Sequence, residues 1–240
     1  MTPKFIIARP EAAWVAVQGG GAFPVRRIYC VGRNYADHIR EMGGDEREQP
    51  FFFQKPADAI VTDGTAVPYP PCTEDFQYEV ELVLAVGKEG ADIAREQAAS
   101  HVFGVAVGID LTRRDVQVAA RKTGRPWEIG KSFDHSAPCG EIVPLKGPLP
   151  RAGRIELHVN GELRQGGDIA QMIWASDEIV SQLSQQYRLM PGDLIYTGTP
   201  AGVGAVVAGD DVRASADGVG DLRIRIASRS IVSASGAQVN

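Results

Sequence analysis

The sequence predicts an α+β protein built on a mixed or antiparallel sheet, and three observations lead to this fold class. Short apolar segments typical of strands outnumber amphipathic helical segments, and the two kinds do not alternate as they do in βαβ proteins. The 240 residues include 27 glycines and 15 prolines, which favour many turns. Residues 78–86 alternate along the chain with the two-residue period of a strand.

Strands and helices can be assigned in order from apolar runs, caps and turn residues. Strands are predicted at 28–31, 51–53, 59–61, 78–86, 102–110, 155–159, 162–164 and 194–197, near Val212 and at 222–226. Helices are predicted over 35–42, 93–100, 112–122 and 176–187, with Asn34, a Thr112–Asp115 capping box and Ser176 at three of their starts. Asn160-Gly161 predicts a tight hairpin, and residues 123–154 are expected to be irregular.

The chain is expected to have a short N-terminal arm and one main domain. Gly19-Gly20-Gly21 provides a flexible join, so residues 1–25 are assigned to the arm and residues 26–240 to the main domain. The chain is long enough for this domain to bury a hydrophobic core without disulfide bonds.

Composition excludes several classes of protein. The net charge of −5 and the lack of a Lys/Arg block argue against a nucleic-acid partner. No apolar run reaches the roughly 18 residues of a membrane span, and the N-terminus lacks a signal-peptide pattern. Three widely spaced cysteines are typical of a reducing compartment. We therefore expect a soluble, cytoplasmic protein without a membrane partner.

Two glutamates on the strand 78–86 are candidate metal ligands. Glu79 and Glu81 point to the same face, about 6.6–6.8 Å apart along the strand. Val83 and Ala85 share that face and indicate that it is turned inward, where unpaired carboxylates are costly. A divalent cation bound by oxygen ligands would resolve this cost. The alternative is a solvated edge face with two harmless glutamates.

Asp110 is the third candidate ligand, because it ends a strand whose same-face residues are small. It also precedes a predicted helix, so a role as a helix cap is the alternative. Together with Glu79 and Glu81 it would form an oxygen-rich site suited to Mg²⁺ or Mn²⁺ rather than zinc.

A histidine and a glutamate on the predicted helix 35–42 are candidates for proton transfer. His38 and Glu41 are three residues apart and share a helix face, which would let the carboxylate orient an imidazole that acts as a general base. An exposed histidine on a surface helix is the alternative.

Arg33, Arg114 and Lys131 are candidate anion binders or ordinary surface charges. The loop 197–202 could hold a carboxylate, whereas no serine or cysteine nucleophile motif is present.

Five segments, in order, resemble the fumarylacetoacetate hydrolase family across residues 26–226. They are Gly32–His38, Glu79–Leu82, Gly108–Gln117, Lys131–Asp134 and Thr197–Gly204. The resemblance implies a mixed β-roll or barrel with peripheral helices, a homodimer, and a catalytic role for the domain 26–240. This chain departs from many relatives at Gln77-Tyr78, where Gln77 could alter contacts around the site.

The resemblance also implies roles for individual residues. Glu79, Glu81 and Asp110 would bind Mg²⁺ or Mn²⁺, and a lid helix would bring His38 and Glu41 over them as catalytic residues. The positions that match substrate or metal-bound ligand contacts are Lys131, Arg114, Gln117 and Thr199, with Lys131 also catalytic. Arg33 is a further expected substrate contact because of its charge.

The implied reaction is hydrolysis of a C–C bond in a 2,4-dioxo acid, with 3-fumarylpyruvate giving fumarate and pyruvate. Acylpyruvate hydrolysis, oxaloacetate decarboxylation and isomerisation of a 2-oxo diacid are alternatives that use the same metal and enolate chemistry. A non-catalytic dimeric binding module is a more remote alternative.

Overall fold

A computed structural model describes residues 5–35 and 48–229, and its secondary structure is mostly strand. The first strands are β1 (Trp14–Ala16), β2 (Ala22–Pro24), β3 (Arg27–Gly32), β4 (Phe51–Lys55), β5 (Ile60–Thr62), β6 (Ala66–Pro68), β7 (Phe76–Tyr78), β8 (Val80–Val86) and β9 (Val102–Ile109). The later strands are β10 (Thr112–Arg113), β11 (Ala137–Cys139), β12 (Val143–Pro144), β13 (Arg154–Val159), β14 (Glu162–Asp168), β15 (Asp193–Tyr196), β16 (Gly204–Ala205), β17 (Asp211–Ala216) and β18 (Gly220–Ala227).

Two α-helices lie in the described part of the chain, α1 (Arg114–Lys122) and α2 (Ser176–Gln186). Short 3-10 turns span Ala57–Ala59, Arg95–His101, Trp127–Gly130 and Ile169–Gln171. None of the helices in the described ranges is long and apolar enough to cross a bilayer.

The strands form two main sheets. The larger runs β4-β3-β15-β8-β9-β11-β5, with β12 added on β9, and mixes parallel and antiparallel pairs. The second runs β14-β13-β17-β18-β6. The predicted α+β class with a mixed sheet and peripheral helices is confirmed.

The larger sheet is covered on both faces, and this positions the candidate ligands. Along β8, Val80, Leu82 and Leu84 face a large core that also includes α2 and the second sheet, while Val83 and Ala85 face a smaller core. Every residue of β8 is buried. The inward orientation predicted for the Glu81 face is therefore confirmed.

Local turn chemistry gives the hairpin that the sequence predicts. Asn160-Gly161 connects β13 and β14, and both residues have positive φ, 53° and 83°. Asparagine and glycine tolerate this left-handed conformation better than other residues do.

The N-terminal strands β1 and β2 pair with each other and pack Val15 and Phe23 into the smaller core.

Several predicted helix features are wrong because tertiary contacts override local signals. Thr112 is buried in β10 and pairs with Gln77, so α1 begins only at Arg114 and the capping box does not form. The region 93–100 forms a 3-10 turn over Arg95–His101 rather than a helix that begins at 93.

Smaller corrections concern three other segments. Ser176 is the first residue of α2 rather than its cap, and Glu178 Oε2 instead accepts a hydrogen bond from Ala175 N. Residues 123–154, expected to be irregular, contain β11 and β12. Tyr35 forms a β-bridge with Met172, and the rest of the helix predicted over 35–42 lies outside the described residues.

The first turn of α2 is held by a buried carboxylate. Arg95 Nε and Arg151 Nη2 lie 2.7 Å and 2.6 Å from Asp177 Oδ2. Burial alone would raise the pKa of Asp177, but the hydrogen bond from Arg95 and the charge of Arg151 lower it below its usual value. This ion pair joins α2 to the turn that precedes β9.

Asp177→Asn should therefore destabilise the protein in a pH-dependent way. A carboxylate with a lowered native pKa contributes stability above its unfolded pKa and loses it as the pH falls through the native value. The variant should have a lower urea midpoint at pH 7, and the difference from wild type should shrink below about pH 4. Asp58→Asn, at an exposed position, is the control. A difference that stays constant from pH 7 to pH 3 would contradict this role.

Candidate active site

Three carboxylates meet at the ends of two buried, paired strands. Glu79 lies between β7 and β8, Glu81 lies within β8, and Asp110 directly follows β9. Because β8 pairs with β9 and Asp110 N donates to Glu79 O, the three side chains converge. One oxygen atom from each lies within 4.8 Å of the others, and all three residues are buried. The structure therefore brings together the three residues predicted to bind metal.

Two buried lysines lie against this cluster. Lys131 Nζ is 2.9 Å from Glu79 Oε2 and 2.8 Å from Asp110 Oδ2. Lys55 Nζ is 2.8 Å from Asp110 Oδ1 and also donates to the carbonyl oxygens of Leu111 and Lys131. Lys131 was predicted to act here, whereas Lys55 was missed. The available signal for Lys55 was its place in the sequence, where a charged residue shares a strand face with Phe51 and Phe53.

An arginine of α1 reaches the same cluster. Arg114 Nη2 donates to Glu79 Oε1, while Arg114 Nη1 donates to Gln117 Oε1 at 2.6 Å. Arg114 Nε donates to Gln77 Oε1 at 2.7 Å. Gln77 thus orients Arg114, and Tyr78 packs in the large core.

The loop after β15 supports the cluster through backbone and side-chain hydrogen bonds. Gly198 N donates to Glu81 Oε2 at 2.6 Å. Thr199 Oγ1 donates to Val80 O and accepts a hydrogen bond from Gln165 Nε2, so this hydroxyl is engaged within the protein. The loop predicted to hold a substrate carboxylate therefore contacts a carboxylate of the protein itself.

Asn34 closes the back of this loop. Its Nδ2 donates to Thr197 O at 2.7 Å and to Trp174 O at 2.9 Å, and its Oδ1 accepts from Trp174 N. Gly198 has φ of 95°, and a Cβ there would lie 2.7 Å from the Asn34 side chain. A larger residue at 198 would therefore displace the loop that holds Glu81.

The charges of the cluster are strongly coupled. Burial alone would raise the pKa of Glu79, but Lys131 and Arg114 lower it to about 2. Burial raises the pKa of Glu81 well above its usual value, and the neighbouring Asp110 and Glu79 raise it further. Burial alone would lower the pKa of Lys131, whereas Asp110 and Glu79 raise it. The three cations therefore lie against Glu79 and Asp110 and offset the charge of these two residues more closely than that of Glu81.

These residues fit a hard divalent cation. The donor atoms are carboxylate oxygens, which Mg²⁺ and Mn²⁺ prefer, and the group contains no histidine or cysteine. A cation at this position would offset the repulsion that raises the pKa of Glu81. Glu79, Glu81 and Asp110 are the residues that could hold it.

The cluster opens into a cavity of about 340 Å³. The predicted residues in its wall are Arg33, Glu79, Glu81, Asp110, Arg114, Gln117, Lys131 and Thr199. His38 and Glu41, predicted as the catalytic pair, lie outside the described residues. The cavity is also lined by Phe51, Phe53, Arg121 and Trp127, which were not predicted from the sequence. For Arg121, the helical spacing from Arg114 and Gln117 was an available signal.

The chain is similar to known proteins in both sequence and structure. A family model described as "Fumarylacetoacetate (FAA) hydrolase C-terminal" matches residues 27–227. A fumarylpyruvate hydrolase of a Ralstonia species is 46% identical over 179 residues, 75% of this chain and 93% of that protein. A mitochondrial oxaloacetate tautomerase of Rattus norvegicus is 43% identical over 202 residues, 84% of this chain and 91% of that protein.

A similar solved structure is that of fumarylpyruvate hydrolase from Pseudomonas aeruginosa in complex with Mn²⁺ and pyruvate. It superposes with a TM-score of 0.91 at 51% identity, over 94% of this chain and all of that one. The fold implied by the five sequence motifs is confirmed. Because the family match spans most of the described residues and includes the carboxylate cluster, this chain belongs to the fumarylacetoacetate hydrolase family.

Proposed function

We propose that this protein hydrolyses a C–C bond of a 2,4-dioxo acid, converting 3-fumarylpyruvate and water to fumarate and pyruvate. The observation that carries this proposal is the group of three buried carboxylates beside Lys131 at the floor of a cavity. The Ralstonia and Pseudomonas relatives, whose names give the same activity, support it.

Each residue of the floor has a chemical task in this proposal. Held by Glu79, Glu81 and Asp110, Mg²⁺ or Mn²⁺ would act as a Lewis acid toward the 2-oxo group and the developing enolate charge. Lys131 lines the cavity with a buried ammonium group and would donate a hydrogen bond to the enolate oxygen.

The proposed proton transfers involve the pair predicted from the sequence. His38, oriented by Glu41, would take a proton from the water that attacks C4. The C3–C4 bond then breaks, its electron pair moves to C3 as the pyruvate enolate, and C4 becomes a carboxyl group of fumarate. Protonation at C3 gives pyruvate.

The charges of the floor favour a dianionic substrate. Lys55, Lys131 and Arg114 together match the charge of the three carboxylates. A divalent cation would therefore leave the site with an excess of positive charge, which attracts an anion into the cavity. The protein itself supplies these cations from three separate segments.

Chemistry on oxaloacetate is a second candidate function. The Rattus relative is named as an oxaloacetate tautomerase, and tautomerisation also passes through the enolate of a 2-oxo acid. The same floor would serve both reactions. Hydrolysis additionally requires a base for water, the role proposed for His38.

We further propose a cytoplasmic homodimer that acts in the breakdown of aromatic compounds such as gentisate. The resemblance of the sequence motifs to the family supports this assignment.

A substrate panel tests the proposed reaction. With Mg²⁺ or Mn²⁺, fumarylpyruvate should be hydrolysed with a higher kcat/KM than maleylpyruvate, acetylpyruvate or oxaloacetate, as measured by pyruvate release or loss of the enol absorbance. Excess chelator should abolish turnover, and added metal should restore it. Full activity in excess chelator would contradict the mechanism, and preferential turnover of oxaloacetate would favour the second candidate.

Glu81→Gln tests the metal role with little effect on the fold. Glutamine can still accept the hydrogen bond from Gly198 N and removes a charge that Asp110 and Glu79 disfavour. The metal-free variant should melt at or above the wild-type temperature, while its Mn²⁺ affinity should fall by at least about 100-fold, more than loss of an outer contact costs. Titration calorimetry measures the affinity, with the exposed Glu162→Gln as control. Unchanged Mn²⁺ affinity would rule out Glu81 as a ligand.

His38→Ala tests the proposed base. The variant should lower kcat for hydrolysis by about 10²–10⁴-fold, the usual effect of losing a general base. Its Mn²⁺ affinity should match that of wild type, because His38 is not a proposed ligand. Steady-state kinetics at saturating metal provide the measurement. A near wild-type rate would assign His38 to a surface role.

A further inference from the structure

Two cations in the cavity wall, Arg33 and Arg121, have no ion-pair or hydrogen-bond partner among the described residues. Four cationic side chains line the cavity, namely Arg33, Arg114, Arg121 and Lys131. Arg114 and Lys131 are held by the Glu79 carboxylate. The side chain of Arg121 makes no ion pair or hydrogen bond with any residue in the described ranges. Its charge is therefore available to a ligand in the cavity.

The helix α1 places Arg121 away from the carboxylate cluster. Arg114, Gln117 and Arg121 follow one another at intervals of three and four residues, and all three line the cavity. One wall of the cavity therefore follows the axis of α1. The rise of 1.5 Å per residue places the Arg121 backbone about 10 Å beyond that of Arg114. Since Arg114 contacts Glu79, Arg121 lies at the opposite end of this wall.

Arg33 lies nearer to the cluster. It precedes Asn34, whose side chain bonds Thr197 O and packs against Gly198, the residue that donates to Glu81. The backbone of Arg33 therefore lies beside the loop that holds Glu81, at the carboxylate end of the cavity. Arg121 is left as the cation at the far end.

Aromatic rings form another part of the wall. The ring of Trp127 packs edge-on against Phe53, with 5.2 Å between centroids, and against Phe51, with 6.1 Å. All three residues line the cavity. These contacts restrict the rotation of each ring and give a rigid apolar surface, which suits a flat, conjugated chain better than a hydrated one.

We propose that Arg121 binds the distal carboxylate of the substrate and selects 2,4-dioxo acids with an unsaturated chain that ends in a carboxylate. This inference rests on the proposed function. With the 1-carboxylate and 2-oxo groups at the floor, the conjugated segment lies along the aromatic wall and the far carboxylate meets the guanidinium group. Arginine suits this task, since its planar fork can donate two parallel hydrogen bonds to a carboxylate.

Arg121→Gln tests this assignment through the choice between two substrates. For fumarylpyruvate, kcat/KM should fall by about 10- to 100-fold, the usual effect of losing a charge-assisted hydrogen bond. For acetylpyruvate, which lacks the distal carboxylate, kcat/KM should stay within about twofold, because the lost group has no partner there. Arg121→Lys should retain part of the preference as a point charge. Lys122→Gln, on the same helix but outside the cavity wall, should leave both substrates unaffected.

Other outcomes separate this inference from the proposed function. Equal losses on both substrates, no loss on either, or a selective loss in Arg33→Gln instead would overturn the role of Arg121. Wild-type enzyme that hydrolyses neither acid would contradict the proposed function. Calorimetric binding of fumarate to the Mn²⁺-loaded protein then still tests Arg121, because Arg121→Gln should weaken it and equal affinity would overturn the assignment.

Discussion

Mutual repulsion among three buried carboxylates is the constraint around which this structure is organised. Oxygen atoms of Glu79, Glu81 and Asp110 lie within 4.8 Å of one another, where ionised groups without partners would be very unfavourable. The protein offsets the repulsion with Lys55 and Lys131, both buried and both within ion-pair distance of Asp110. Removing either lysine would leave an uncompensated buried carboxylate. The resulting loss of folding free energy would exceed the net stabilisation that the intact ion pair provides.

The sheet gives this arrangement its rigidity. Both β8 and β9 are paired on each side, and the faces of β8 are covered by two separate cores. Side chains in such close-packed surroundings have few alternative rotamers. Glu81 and Asp110, at or just beyond these strands, are consequently fixed before any ligand arrives, and a fixed geometry is what a catalytic metal site requires.

The cavity changes in character from floor to mouth. Its floor combines carboxylates and buried lysines, its wall carries Phe53 and Trp127, and its far end has the exposed Arg121. Reactions that share an enolate can use the same floor, whereas substrates of different length meet different parts of the wall. This division gives a physical reason why related proteins can differ in activity. One relative is named as a fumarylpyruvate hydrolase and another as an oxaloacetate tautomerase.

The sequence by itself determined the features that depend on neighbours along the chain. The two-residue period placed Glu81 on an inward face, and Asn160-Gly161 specified its hairpin through backbone conformation alone. Only the tertiary structure decided the features that depend on distant segments. Lys55 on β4 is partnered with Asp110 after β9, although three strands separate β4 from β9 in the sheet order, and Thr112 became a strand residue because it pairs with Gln77. No local propensity encodes such contacts, since they join segments that are distant in the chain and form only when apolar surface is buried in the folded protein.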